Sequence, residues 1–215
     1  MVKNFCKWVN MKKIMMQGLK QVATLASIIG RRKLFILIYH RVLDGSDFMR
    51  SSEVDKKKFN WQMELLEKYF NVLPMADALD RMKKNSLPSR AICITFDDGY
   101  ADNYLNALPI LKQHNLTATF FIASGYLNGG RMWNDTIIET LRNYSGQHLN
   151  LSKINLGLYR TETEMEKELA AGLIIQKIKH LEPQKRTAYT EFIASHVEIL
   201  PNTLMMTNEQ LVKLQ

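Results

Sequence analysis

Three observations predict an α/β fold built on a parallel sheet. The 215 residues are 46% hydrophobic, enough for one sizeable core and within the size range of single-domain α/β barrels. Residues 34–145 alternate short apolar runs with segments of helical periodicity. The apolar runs are continuous instead of alternating with polar residues, as in strands that a parallel sheet buries on both faces.

The elements follow in order. "LFILIYH", residues 34–40, is β-branched and aromatic and stops at the polar "RVLDGSD", which predicts a strand buried on both faces and then a loop. "DKKKFNWQMELLEKYF" sets Phe59, Met63, Leu66 and Phe70 on one helical face, with Asp55 placed to cap it. "NVLP" predicts a short strand and "MADALDRMKKN" a second amphipathic helix. "RAICITF" is the next buried strand, and "YADNYLNALPILKQHN" returns as a helix that Pro109 kinks or restarts. "TATFFIA" is a third buried strand, "SGYLNGG" a glycine-rich loop, and "MWNDTIIETLRNY" a helix.

From residue 146 the pattern changes. "SGQHLNLSKINLGLYR" predicts a hairpin or two edge strands. "TETEMEKELAAGLIIQKIKHL" predicts a helix capped by Thr161 or Thr163 and closed at Pro183. "QKRTAYTEFIASHVEIL" predicts a helix ended by Pro201, and Thr207 caps a last one. No apolar strand interrupts residues 161–200, so they read as a helical insertion on the βα scaffold.

Charge is unevenly spread. The net charge of +8 sits in residues 1–33, which hold eight lysines and arginines and no acid; the other residues carry 21 basic and 21 acidic side chains. That balance argues against a basic nucleic-acid face on the domain. Residues 1–33 form a separate basic segment with apolar positions near helical spacing. Its lysine-free stretch, 21–30, is shorter than the ~20 residues a membrane span requires. A secretory signal fits its basic start and small residues, and a plain solvated helix fits its polarity. An interfacial amphipathic helix on an anionic membrane surface accounts for charge and periodicity together. The expected location is accordingly the cytoplasm or the periphery of the cytoplasmic membrane, ahead of secretion. Cys6 and Cys93 are too few and too far apart for a disulfide framework or a cysteine metal site.

The chemistry concentrates at "TFDDGY". Asp97 and Asp98 follow an apolar strand, where functional groups of parallel α/β folds gather. Adjacent carboxylates diverge, so one can ligate a divalent metal while the other takes a proton from the attacking water. Gly99 permits a tight turn that frees the Tyr100 amide to face an oxyanion. Asp-Asp-Gly is also ordinary turn chemistry, and the residues alone leave both readings open.

"TFDDGY", followed by "LPILKQHNLTATFFIA", resembles the first motif of the polysaccharide deacetylases, the NodB-homology carbohydrate esterases. "ILIYHRV" and "FNVLPM" upstream, with "GRMWNDTIIETLR" and "LMMTNEQLVKL" downstream, resemble their exopolysaccharide and exosortase-associated branch. The resemblance implies a deformed parallel (β/α) barrel over residues 34–215 and removal of N-acetyl groups from a GlcNAc-type polysaccharide with a divalent metal, typically zinc. By position it implies Asp97 as catalytic base, Asp98 as metal ligand and Tyr100 as donor of the oxyanion amide. His40 matches a histidine near the site and is equally at home as a structural residue. Trp133 and Asn134 are candidates to line a sugar site, Trp133 equally a core anchor.

The family completes its metal site with H-[ST]-x-x-H, and a catalytic zinc usually takes three protein ligands. His40, His114, His148, His180 and His196 contain no such pair. The segment that precedes this motif in relatives lies at the end of the chain, so the expectation is the N-terminal part of a deacetylase domain. Three functions therefore stay open: an N-deacetylase, an inactive remnant that binds sugar or a partner, and a peripheral membrane module acting through residues 1–33.

Overall fold

The computed structural model describes residues 33–214. The basic segment 1–33 falls, but for Lys33, outside the described residues. Two compact units are interleaved along the chain.

Of the described residues, the first unit comprises 33–39, 58–97 and 109–121. It holds a parallel sheet of β1 (Leu34–Tyr39), β4 (Asn71–Val72), β5 (Ala91–Phe96) and β6 (Thr119–Phe120). β5 is central. It runs parallel to β1 along its whole length, from Leu34 opposite Ala91 to Tyr39 opposite Phe96. On its other edge it pairs with β4 at the start and β6 at the end. Every residue of β5 is buried, as its unbroken apolar run predicts. Helix α1 (Lys56–Tyr69) starts directly after Asp55 and buries Phe59, Met63 and Leu66, the face read from the sequence. Tyr39, Phe59, Phe96 and Phe120 then stack into one aromatic cluster, with centroids 4.9–5.8 Å apart. Helix α2 (Met75–Lys83) presents Ala78 to Leu87, Ala91 and Cys93. The α/β reading with a parallel sheet holds, and the described strands do not close a barrel.

Two strands differ from expectation. β1 is only partly covered: Phe35, Ile36 and Ile38 are exposed, because β5 is its one partner among the described strands. β6 is two half-buried residues rather than a full buried strand.

Of the described residues, the second unit comprises 40–57, 98–108 and 122–214. It contains the short parallel pair β2 (Val42–Leu43) and β3 (Val54–Asp55). A π-type turn, Asn103–Ala107, ends at helix α3 (Leu108–Gln113), whose residues from Pro109 on belong to the first unit, so the chain restarts its helix just before Pro109. Helix α4 (Trp133–Asn143) follows the glycine loop. β7 (His148–Asn150) and β8 (Leu158–Arg160) make the antiparallel hairpin. Helix α5 (Glu164–Ile178) is capped by Thr163 in a reciprocal box with Glu166, and α7 (Asn208–Val212) by Thr207 with Gln210. Pro183 does not end a helix but opens α6 (Pro183–Ala194), where its missing N–H costs nothing. α6 stops at Ala194, well before Pro201. α4, α5, α6 and the hairpin share one core that includes Ile137, Leu141, Leu149, Ile174, Ile178 and Ile193, all fully buried. Among the described residues no helix is long and apolar enough to cross a membrane.

Candidate active site

β5 ends in a sharp turn whose backbone explains its residues. Asp98 lies at φ 74° and Gly99 at φ 84°. Two consecutive left-handed residues suit Asp, which tolerates that region, and then Gly, which has no Cβ to clash. A Cβ at Gly99 would meet Ile122 Cδ1 at 3.1 Å. The turn is held by Ala123 N–H donating to Asp98 O at 3.1 Å. Next, Tyr100 and Met205 form an isolated antiparallel bridge. Its bonds run from Ala101 N–H to Leu204 O and from Met206 N–H to Gly99 O, which leaves the Tyr100 N–H outside the pairing. Asp97 belongs to the first unit, and its own N–H donates to Tyr39 O at 2.9 Å.

Within the second unit a cavity of about 230 Å³ is lined by His40, Asp98, Tyr100 and Asn134, four of the residues singled out from sequence. Arg41, Arg50, Ser52 and Glu53 complete its polar wall, with Met49 and Ile138 as apolar surface. Trp133 does not line it. As the first residue of α4 it packs on the core, with the Arg186 guanidinium 5.2 Å over its ring. Asn134 is brought to the cavity one residue later on the same helix.

Behind this wall lies a buried ionic network. Asp135 is fully buried at the third position of α4 and accepts four bonds: from Met132 N–H (3.1 Å), from the Tyr100 hydroxyl on both oxygens (3.2 and 3.1 Å) and from Arg50 Nη2 (2.9 Å). Arg50 Nη2 also reaches Glu139 at 3.2 Å, Arg142 Nε bonds Glu139 at 2.8 Å, and Arg142 closes a bidentate pair with Asp47 at 2.9 and 2.7 Å. On the other side, Arg41 Nε donates to Asp102 at 2.7 Å, and the same guanidinium stacks 4.5 Å over the Tyr100 ring. Asp102 also accepts from Val42 N–H and from Asn103 Nδ2, which in turn bonds His40 O. These carboxylates are deep, yet each is hydrogen-bonded to a donor, the condition under which buried charge is tolerated.

Burial, and then the adjacent Asp135 charge, push the Tyr100 phenol well above its ordinary range, so it stays a hydrogen-bond donor. Burial raises the Glu53 carboxyl. Burial also acts on Asp47, but the bonds from Arg142 and Met49 N–H outweigh it and hold that carboxyl below the usual range.

A catalytic zinc requires three protein donors converging on one point. Among the described residues no three His, Cys, Asp or Glu side chains stand where they could hold a metal together. His114 has both ring nitrogens engaged, by Glu67 at 2.8 Å and Asn60 at 3.0 Å. His196 is bonded through Nδ1 to the Phe192 and Ile193 carbonyls. His148 and His180 are exposed, on β7 and just after α5. The described residues therefore do not fit a zinc centre by themselves.

Arg41, Arg50, Glu53 and Asp135 were not singled out from sequence. Asp135 carried a readable signal, an acid at the third position of a helix whose dipole it complements. Arg50 carried none, since its partners lie 85 and 89 residues away.

Comparison with known proteins converges on this region. The polysaccharide deacetylase family matches residues 84–180. The Bacillus subtilis protein YxkH, which bears the name of a polysaccharide deacetylase, is 38% identical over 92 residues, covering 42% of this chain and 32% of the relative. The poly-β-1,6-N-acetyl-D-glucosamine N-deacetylase of Staphylococcus aureus is 31% identical over 116 residues, covering 48% and 40%. Among solved structures, IcaB from Ammonifex degensii superposes with a TM-score of 0.42 at 25% identity, over 49% of this chain and 47% of that one. The chain thus spans 32–40% of the length of these two curated relatives. The matched stretch, residues 84–180, carries β5, the Asp97–Asp98–Gly99 turn and the helix of Asp135, and over that stretch the chain is similar to the polysaccharide deacetylase family.

Proposed function

We propose that this chain takes part in removing N-acetyl groups from a GlcNAc-type polysaccharide. The observation that carries the reading is the turn after β5. Its left-handed Asp98 and Gly99 bring Asp98 to a cavity wall and leave the Tyr100 N–H unpaired in the bridge, inside the stretch that matches the family. By motif position Asp97 is the general base that takes a proton from the attacking water, and the Tyr100 N–H donates to the oxyanion as the acetamide carbonyl is attacked. The products are acetate and a free amine on the sugar. Asp98 is the family's metal-ligand position. His40 and Asn134 contact substrate from the cavity wall. The named activity of the S. aureus relative on poly-β-1,6-N-acetylglucosamine makes that polymer the first substrate to assay.

A second reading, a sugar-binding module without hydrolysis, is favoured by the engagement of His114 and His196 in structural hydrogen bonds. One assay separates the two: acetate release from an N-acetylglucosamine polymer with zinc added, alongside a zinc titration. Hydrolysis supports the first reading. Polymer binding without acetate, together with weak zinc binding, supports the second.

Residues 1–33 add a proposed membrane-surface role. Wild-type chain is expected to sediment with anionic vesicles and a chain lacking 1–33 to stay in solution; equal sedimentation would remove that role.

A further inference from the structure

We propose that Arg50, with Arg41 beside it, is a substrate-binding residue of the cavity, donating to the ring and acetamido oxygens of one neutral sugar unit. The assignment rests on the polysaccharide reading and extends it to Arg50, which neither the motif nor the sequence pattern marks, and to Arg41 beside it.

Both arginines are buried residues, at 9% and 8% residual exposure, and both line the cavity. Each is pinned at one edge. Arg50 uses only Nη2, shared between Asp135 and Glu139; Arg41 uses only Nε, on Asp102. Among the described residues, Nε and Nη1 of Arg50 and both Nη atoms of Arg41 bond no protein acceptor. Guanidinium N–H groups at a cavity wall that the protein leaves unbonded are open to a ligand's acceptors.

Tyr100 ties the two together, with its ring under Arg41 and its hydroxyl on the carboxylate that holds Arg50. Asp135, Glu139 and Asp102 act as positioning residues that fix the guanidinium planes before ligand arrives, so little side-chain freedom is lost on binding.

The lining selects the ligand's charge. Arg41 and Arg50 are balanced by Asp98 and Glu53 on the same wall, which favours a neutral, oxygen-rich group over an anion. Met49 and Ile138 offer apolar surface to the C–H face of a ring. About 230 Å³ is on the order of eight water molecules' share of the liquid, suited to a single sugar unit and not a longer segment.

The test uses the full chain and a β-1,6-linked N-acetylglucosamine tetramer as probe. Arg50→Lys keeps a cation for Asp135 but loses the second donor edge, because an ammonium is a compact point charge. It is expected to bind the tetramer about tenfold more weakly than wild type while melting near the wild-type temperature. Equal affinity of a folded Arg50→Lys overturns the assignment of Arg50 and leaves the polysaccharide reading standing. Absence of tetramer binding by the wild type overturns both. Should Arg50→Lys not fold, the Nε–H resonance of Arg50 in the unmodified chain decides. It is expected to shift on titration with the tetramer, and a resonance that stays in place overturns the proposal.

Discussion

The Tyr100 hydroxyl donates to both oxygens of the buried Asp135 carboxylate, at 3.2 and 3.1 Å, tying the turn after β5 to the first turn of helix α4. Tyr100→Phe removes that donor and leaves Asp135 with Arg50 and Met132 N–H. The substitution is expected to cost about 1–3 kcal/mol, the range for stranding part of a buried charged group's hydrogen bonding. Chemical denaturation at neutral pH measures it. A cost near zero would mean that the Arg50 and backbone bonds alone satisfy Asp135.

Gly99→Ala is predicted to destabilise by more than about 1 kcal/mol, because φ 84° is strained for any side chain and the added methyl presses on Ile122 at 3.1 Å. Asp98→Asn keeps a residue that accepts the left-handed region and is predicted to lose less stability than Gly99→Ala. Thermal melts of the two variants side by side check the backbone account, and equal losses would contradict it.

Asp47 supplies a pH signature. Its folded-state carboxyl lies below the ordinary range: burial raises it, but the bidentate Arg142 pair and the Met49 N–H pull it down further. A depressed acid contributes stability above its unfolded pKa, about 3.9, and loses it as pH falls through the folded value. The stability gap between wild type and Asp47→Asn should therefore be full near neutrality and narrow as pH drops below about 4. Urea midpoints across that range give the answer, and a pH-independent gap would argue that Asp47 acts only through its cap on Met49.

Much of the scaffold was legible in the sequence because it is written locally. The unbroken run at β5, the Phe59–Met63–Leu66 spacing on α1 and the Thr163–Glu166 box on α5 each occupy a few adjacent residues. β1 was misread because periodicity reports which residues are apolar, not whether a neighbour covers them; with one strand partner, Ile38 keeps 62% of its surface exposed. Pro183 was misread because proline both ends and begins helices, and the deciding fact is the chain direction after it. The site was half legible. Asp97, Asp98 and Tyr100 are a contiguous motif, whereas the Arg50–Asp135 pair joins residues 85 apart that only the fold brings together.

The most direct test of the proposed function is acetate release from poly-β-1,6-N-acetylglucosamine by the wild-type chain and by Asp97→Asn, with zinc present in both. The account predicts release by the wild type and a loss on the order of 10²-fold or more in the variant, the usual contribution of a general base. No release by the wild type, or equal release by the two, would contradict it.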